Sequence, residues 1–294
     1  MNTPLPVAAK HADNIVRYYT EAGPDYSLWS SEFNMHFGFC RKGMNPFDLE
    51  AMLRQMNQEV LDELRLTPGR PQHILDMGCG LGATARHAME RLPNIHVSGL
   101  TLVPWQAKQA GDLNRCAKCQ RGVEIICGDY TRAPFPDATF DAVYALESSC
   151  YAPGHAKQSL VDEMYRLLKP GGRFAVADAF LKTERWMDPL SRACYKALCR
   201  CWSIESLGEI HQFARALEAA GFRDIRIVNI SKNVTPSVLH IPRPVARFLF
   251  RELRFPNRPG GRKRWGNMLA GPLLIGFALD RSRSGYFMVS GAKI

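Results

Sequence analysis

The sequence predicts an α/β fold. It is a doubly wound, mostly parallel sheet of seven strands, preceded by a helical segment and interrupted late by a lid. Three observations predict it. From Gln72 onward, short apolar runs alternate with stretches of helical periodicity, the pattern of a parallel sheet covered on both faces. The first run ends in a glycine-rich turn, "DMGCGLGA", Asp76 to Ala83. A later helical stretch stops at "KPGG", Lys169 to Gly172, directly before another apolar run.

The elements follow in order. Residues 1–44 are aromatic-rich and irregular, and read as a helix followed by a loop. "NPFDLEAMLRQMNQEVLDELRL" carries Leu49, Met52, Leu53, Met56, Val60, Leu61 and Leu64 at helical spacing. The strands are "HILDMG", "IHVSGL", "VEIICGD", "FDAVYALES", "RFAVADA", "RDIRIVNI" and a final "GYFMVSGAK". The helices between them are "ATARHAMERL", "PWQAKQAGDLNRCAK", "AKQSLVDEMYRLL" and "SLGEIHQFARALEAAGF". Between Ile230 and Tyr286 lies a basic segment with several prolines, too long to lack structure of its own, and it reads as a lid of short helices. The expected organisation is an N-terminal segment over the active site (1–70), a core (71–230 plus 284–294) and the lid (231–283).

Composition narrows the function. The 294 residues, 46% hydrophobic and 22% charged, suffice for one large domain or a core with a lid. The longest apolar run, "MLAGPLLIGFAL" (Met268 to Leu279), is too short to span a bilayer and contains Pro272. The start has no basic region followed by an apolar one, so a soluble, cytoplasmic protein is expected. Nine cysteines at irregular spacings do not form a disulfide framework, and the single tight pair, Cys116 and Cys119, lacks the second pair a zinc site needs. No metal ligands are assigned.

The net charge is +10, much of it late in the chain. Arg243, Arg247, Arg251, Arg254, Arg258, Arg262, Lys263 and Arg264 stand against Glu252 alone, and the first four have helical spacing. The bland interpretation is a solvated helix face. The functional ones are a membrane-surface helix or an anion-binding lid. Nucleic acid is not expected as a partner, because no binding module accompanies the charge.

Ligands in such sheets sit beyond the carboxyl ends of the strands, near the switch point. Gly78 and Gly80 let the first turn approach a ligand closely, and with Ala83 they satisfy G-x-G-x-x-[GA], a weak signal alone. Two features argue against a dinucleotide. Asp76 lies inside the loop, where a carboxylate would repel a pyrophosphate but suits an ammonium and a sulfonium. No acidic residue ends the second strand at Ser98–Leu102. Asp129, at the end of the third strand, is placed to accept from an adenine amino group, with Tyr130 stacking nearby.

The run "LDMGCGLG … GDYTRAPFPDATFDAV … LLKPGG" resembles class I S-adenosylmethionine-dependent methyltransferases over roughly Leu61 to Asp178. "GLTLVPWQ" in place of an acidic strand end resembles the branch that includes sterol C-methyltransferases, tocopherol methyltransferases and cyclopropane fatty-acid synthases. That resemblance implies S-adenosyl-L-methionine as cofactor, with Thr101, Leu102 and Gln106 on its ribose and methionine parts. "YYTEAGPDYSLWSSEFNMHFGFC" fits the same branch. It implies that Tyr19 touches the cofactor, while Tyr26, Trp29, Met35 and His36 line the cavity from above. Plain packing onto the sheet is the alternative fate of these aromatics.

The fourth strand ends in "YALESSCYAPGH", which resembles the E-x-x-x-H-x-P stretch of the sterol group with Tyr151 in place of His. It also resembles prenyl-diphosphate C-methyltransferases, whose Glu helps hold a metal–diphosphate group, and sugar and macrolide O-methyltransferases. Glu147 stands where the cofactor methyl should emerge. Glu147, His36 and Tyr151 are therefore the expected catalytic residues. Glu147 or His36 serves as base, and Trp29, Tyr26 and Tyr151 offer aromatic faces to a carbocation.

The expected acceptor is a large hydrophobic small molecule such as an isoprenoid, sterol, quinol or polyketide, with C-methylation ahead of O-methylation. A magnesium-dependent prenyl-diphosphate enzyme and a natural-product O- or N-methyltransferase are the alternatives. An RNA or protein methyltransferase is more distant, because the Asn/Asp-Pro-Pro-aromatic signature is absent at Glu147–Tyr151. A silent cofactor-binding partner and a homo-oligomer stay open.

Overall fold

A computed structural model describes residues 7–92, 94–116, 122–183, 188–254, 261–279 and 282–294, with side chains from residue 10 and up to residue 274 in the last helix. Cys119 and Arg258 lie outside the described residues.

The core starts with β1 (Gln72–Met77), α3 (Ala83–Arg91), β2 (Ile95–Thr101), α4 (Pro104–Cys116) and β3 (Val123–Cys127). The chain then returns to the other side of β1 with β4 (Phe140–Leu146), α5 (Gln158–Leu167) and β5 (Leu168–Leu181). The sheet order is β3-β2-β1-β4-β5-β8-β7, with β7 (Phe222–Asn229) and β8 (Ser284–Lys293). Strands β3 to β5 pair in parallel. β8 inserts antiparallel between β5 and β7. The direction of winding reverses between β1 and β4, so the switch-point crevice opens at their carboxyl ends.

Both faces of the sheet are covered, as the apolar runs predict. On one face Leu160, Val161, Met164 and Leu167 of α5 and Phe213 and Leu217 of α7 (Ile210–Ala220) pack on Leu75, Val143 and Val176. On the other, Met56, Val60 and Leu61 of α2 (Leu49–Glu63) and Ala85 and Ala88 of α3 pack on Ile74, Val97, Tyr144 and Ala175.

The sheet has eight strands rather than seven. The extra one, β6 (Gly208–Glu209), is two residues that pair with the end of β5. It hides inside "SLGEI", read from sequence as the start of a helix. The helix starts after it, capped by the Glu209 side chain, which accepts from His211 N and Gln212 N. A further helix, α6 (Pro189–Trp202), was not anticipated. Asp188 caps it and Pro189 opens it.

α1 (Val7–Ala22) and a 3₁₀ turn (Gly23–Leu28) cross above the carboxyl ends of the strands. The segment between β7 and β8 forms three helices, α8 (Ser231–Val238), α9 (Pro242–Arg254) and α10 (Arg262–Leu279). Arg264 pairs with Asp25 at 2.7 Å and with Glu252 at 2.8 Å, and Arg251 also pairs with Asp25. Asp25 is buried, so α9 and α10 are tied to the N-terminal segment by an internal ion cluster. Arg251 and Arg264 are therefore not part of a solvated basic face. Among the described residues, no helix is long and apolar enough to cross a membrane.

Candidate active site

Two adjoining cavities open at the carboxyl ends of the strands. The first, about 350 Å³, lies over the β1 turn and the ends of β2, β3 and β4. The second, about 280 Å³, lies between the N-terminal segment, α6 and helices α8, α9 and α10. Tyr19, Met35, His36, Glu147 and Tyr151 line both.

The first cavity contains every residue expected at the cofactor: Tyr19, Asp76, Gly78 and Gly80, Thr101, Leu102 and Gln106, Asp129 and Tyr130. Gly78 has φ +96° and Gly80 φ +52°. A Cβ at Gly78 would collide with the Ser148 side chain, so the turn requires glycine for space as well as for backbone. Gly78 N and Cys79 N both donate to Leu100 O, at 2.9 and 2.8 Å, which holds the loop against β2.

Asp76 is buried and accepts a 2.8 Å hydrogen bond from Tyr144 Oη. Burial pushes its pKa up to about 7, against the lowering effect of that bond. Such a carboxylate gains from a cationic ligand, so the donor set fits an ammonium group. Thr101 Oγ1 donates to Gln106 Oε1 at 2.6 Å, and Gln106 Nε2 lies 3.7 Å from Met35 Sδ. The pair spaced five residues apart thus forms one buried polar unit beside the loop. Asp129 accepts from Thr131 N and Oγ1 through Oδ1, both at 2.8 Å, and is exposed on the cavity wall. Tyr130 Oη donates to Ser148 O at 2.7 Å, which anchors the ring on the same wall.

Glu147 sits at the junction. It follows β4 with φ +49°, a left-handed conformation that is costly for a non-glycine residue. Its amide donates to Ala177 O at 2.8 Å. Its Oε1 accepts from Phe37 N at 2.6 Å and from Tyr286 Oη at 2.7 Å. Burial raises its pKa to about 8, with those two bonds pulling the other way and Asp178 adding to the rise.

His36 is buried, with Nδ1 2.9 Å from Phe37 O and Nε2 3.2 Å from Asn34 Oδ1. Burial lowers its pKa to about 4, so the ring is neutral at pH 7. Tyr151 Oη is 2.9 Å from Tyr19 Oη and 3.2 Å from Trp202 O.

Tyr26, Trp29 and Met35, the residues expected at the acceptor, line the second cavity. Trp29 Nε1 donates to His36 O at 3.1 Å and its ring packs edge-on against Phe37. No Lys or Arg lines this cavity among the described residues.

Several site residues were not found from sequence. Tyr286 on β8 reaches Glu147 from the far end of the chain. Asp178 of β5 is another buried carboxylate lining the second cavity, satisfied by Ser149 Oγ, Cys150 N and Ala179 N. His11, Ile15 and Tyr19 recur every four residues along α1 and face the first cavity; that spacing was a readable signal.

Residues 75–176 match the model of the methyltransferase domain family. Over 238 residues the chain is 31% identical to cycloartenol-C-24-methyltransferase of Arabidopsis thaliana, covering 80% of this chain and 67% of that one. It spans about half the length of several other sterol methyltransferases that it matches.

The fold is shared with the [4+2]-cyclase SpnF (TM-score 0.76, 22% identity, 100% of this chain and 99% of that one). It is also shared with the cyclopropane synthase MmaA2 of Mycobacterium tuberculosis (TM-score 0.77, 16% identity, 99% and 100%). The chain belongs to the class I S-adenosylmethionine-dependent methyltransferases, in the branch that resembles sterol C-methyltransferases. It is an enzyme of that class, and its cofactor is S-adenosyl-L-methionine.

Proposed function

We propose that the protein methylates an alkene carbon of a large, neutral, apolar acceptor of isoprenoid or sterol type, with Glu147 as the base that completes the reaction. The observation that carries this reading is the junction. Glu147, with a raised pKa, stands where the cofactor cavity meets a chamber walled by aromatic and aliphatic side chains.

The first cavity suits the cofactor. Asp76 would hold its ammonium, Thr101 and Gln106 its ribose and methionine parts, and Asp129 and Tyr130 its adenine. When bound, S-adenosyl-L-methionine supplies an electrophilic methyl on a sulfonium. The chain's residues do the rest. The lid and the N-terminal segment exclude water and hold the acceptor in line. An alkene that takes the methyl is left as a carbocation, and the faces of Tyr19, Tyr26, Tyr151 and Trp29 stabilise it. Glu147, ionised, removes a proton from the neighbouring carbon and restores a double bond. Neutral His36, engaged by Phe37 and Asn34, positions the Trp29 loop and leaves the base role to Glu147.

The acceptor chamber favours a neutral molecule over a prenyl diphosphate. A diphosphate needs cationic partners, and no Lys or Arg lines the chamber among the described residues. Arg251 and Arg264, two of the basic residues between Arg243 and Arg264, are engaged by Asp25 and Glu252. The C-methylation named in the 31% identical relative supports carbon over oxygen.

The test is transfer from methyl-labelled S-adenosylmethionine to unsaturated sterols, quinols, hydroxylated polyketides and prenyl diphosphates, with and without magnesium. Label in a neutral unsaturated lipid without metal supports the reading. Label only in a prenyl diphosphate with magnesium, or only on a hydroxyl, rejects it.

A further inference from the structure

The outer half of α9 has a composition that neither the fold nor the methyl-transfer site needs. Pro244, Phe248, Arg251 and Glu252 are turned inward: Phe248 packs on Trp265, Arg251 pairs with Asp25, and Glu252 pairs with Arg264. Leu249, Phe250 and Leu253 point outward, the last two 72% and 83% exposed. At 100° per residue, Leu249, Leu253, Ala246 and Phe250 form one continuous apolar arc. Arg243, Arg254 and Arg247 follow directly on its flank, all exposed. No carboxylate shares the outward half, since Glu252 is turned inward. An apolar strip of this kind on a water-facing helix marks a contact surface.

The strip continues past α9. Trp265 near the start of α10 meets Phe248, and a Cβ at Gly271 would collide with Ile241 just before α9, so the two helices run antiparallel. Exposed Trp265 and Leu269 of α10 extend the apolar surface. At the other end, Leu239 is 66% exposed and also lines the acceptor cavity, so the rim of that cavity reaches the same surface. His240 Nε2 is 2.8 Å from Pro46 O, which ties the segment after Leu239 to the loop that carries the exposed Phe47.

We propose that this face, α9 with the first turns of α10 and the Leu239–Phe47 rim, docks on an anionic lipid bilayer. Phe250, Leu253 and Leu249 enter the headgroup boundary, Arg243, Arg247 and Arg254 meet lipid phosphates, and the rim opens toward the membrane. The choice of a bilayer over a protein rests on charge. Exposed arginines beside an apolar arc, with no acid on the outward half of α9, complement a surface that is anionic outside and apolar beneath. Among the described residues no helix is long and apolar enough to cross a membrane. The docking does not depend on the methyl-transfer reading, because vesicle binding is scored without cofactor or acceptor.

The experiment is co-sedimentation of the full chain with vesicles of phosphatidylcholine alone or with added phosphatidylserine. Two triple variants are compared, R243E/R247E/R254E and L249S/F250S/L253S. All six residues are exposed, and unchanged circular dichroism verifies folding. We expect the wild type to sediment with phosphatidylserine vesicles, and each variant to bind at least about tenfold more weakly. Equal binding by either variant, or no wild-type binding to anionic vesicles, overturns the proposal. So does a wild-type dimer, seen by sedimentation velocity, that the L249S/F250S/L253S variant dissociates, because the strip would then be a self-interface.

Discussion

Tyr286 Oη donates a 2.7 Å hydrogen bond to Glu147 Oε1 across 139 residues of sequence. The bond exists because β8 inserts antiparallel beside β5, which sets Tyr286 opposite Ala179, next to the end of β4 where Glu147 begins the turn. Phe37 N supplies a second donor to the same oxygen. Both bonds favour the ionised carboxylate, while burial opposes it, and burial wins.

The pH profile of the reaction follows from that balance. A base with a pKa near 8 makes kcat/KM rise with pH up to about that value. In Tyr286→Phe one stabilising donor is lost, so the profile moves about one pH unit higher and the rate at pH 7 falls roughly tenfold. Cofactor affinity, measured by calorimetry, stays unchanged. A profile at the wild-type position would remove Tyr286 from this role.

Glu147→Gln keeps cofactor affinity and loses turnover by about 10² to 10⁴-fold. It also has an opposite signature in stability. The folded pKa of Glu147 is raised, so the stability of the free protein is fully present below the ordinary glutamate value and declines as pH rises toward about 8. The amide that replaces the carboxylate carries no charge to bury. The variant should gain on the order of 1–3 kcal/mol over wild type at pH 8 and little at pH 4.5, read from denaturant unfolding at the two pH values.

Asp129→Ala weakens cofactor binding, by about tenfold if one hydrogen bond to the adenine is lost. Asp76 predicts a pH dependence of the same quantity. Its carboxylate must be ionised to hold an ammonium, so cofactor affinity rises as pH passes about 7, and Asp76→Asn flattens that rise. Titration calorimetry across about pH 6–8 reads both effects.

Asp25→Ala leaves Arg251 and Arg264 half-buried or buried without their shared partner. Removing one member of a buried ion cluster costs about 3–5 kcal/mol. Because the cluster joins α9 and α10 to the N-terminal segment, the loss should appear first as faster hydrogen exchange in those two helices. Uniform exchange with an unchanged melting temperature would mean the cluster does not hold α9 and α10 in place.

What was legible from sequence was local. Asp76, Gly78 and Gly80 occupy one strand end, so their spacing grouped them, while Thr101 and Gln106, at one strand-to-helix turn, were assigned through the resemblance to the branch. The aromatic N-terminal segment was assigned to the site by its resemblance to the branch, and Tyr19, Tyr26, Trp29, Met35 and His36 do line the cavities. What was not legible depends on distant partners. Tyr286 reaches the site only through the register of β8. Arg251 shares its helical spacing with solvated arginines, and a buried Asp25, 226 residues away, decides its fate. β6 is two residues long, below what periodicity resolves, and α6 announced itself only by Asp188 and Pro189.

The most direct measurement is the product of the reaction. With S-adenosylmethionine carrying a ¹³C methyl and a sterol bearing a side-chain double bond, offered without magnesium, carbon NMR shows which atom receives the methyl. A labelled methyl bonded to carbon, formed by wild type and not by Glu147→Gln, is the predicted result. A labelled methyl on oxygen, or wild-type yield from Glu147→Gln, would contradict it.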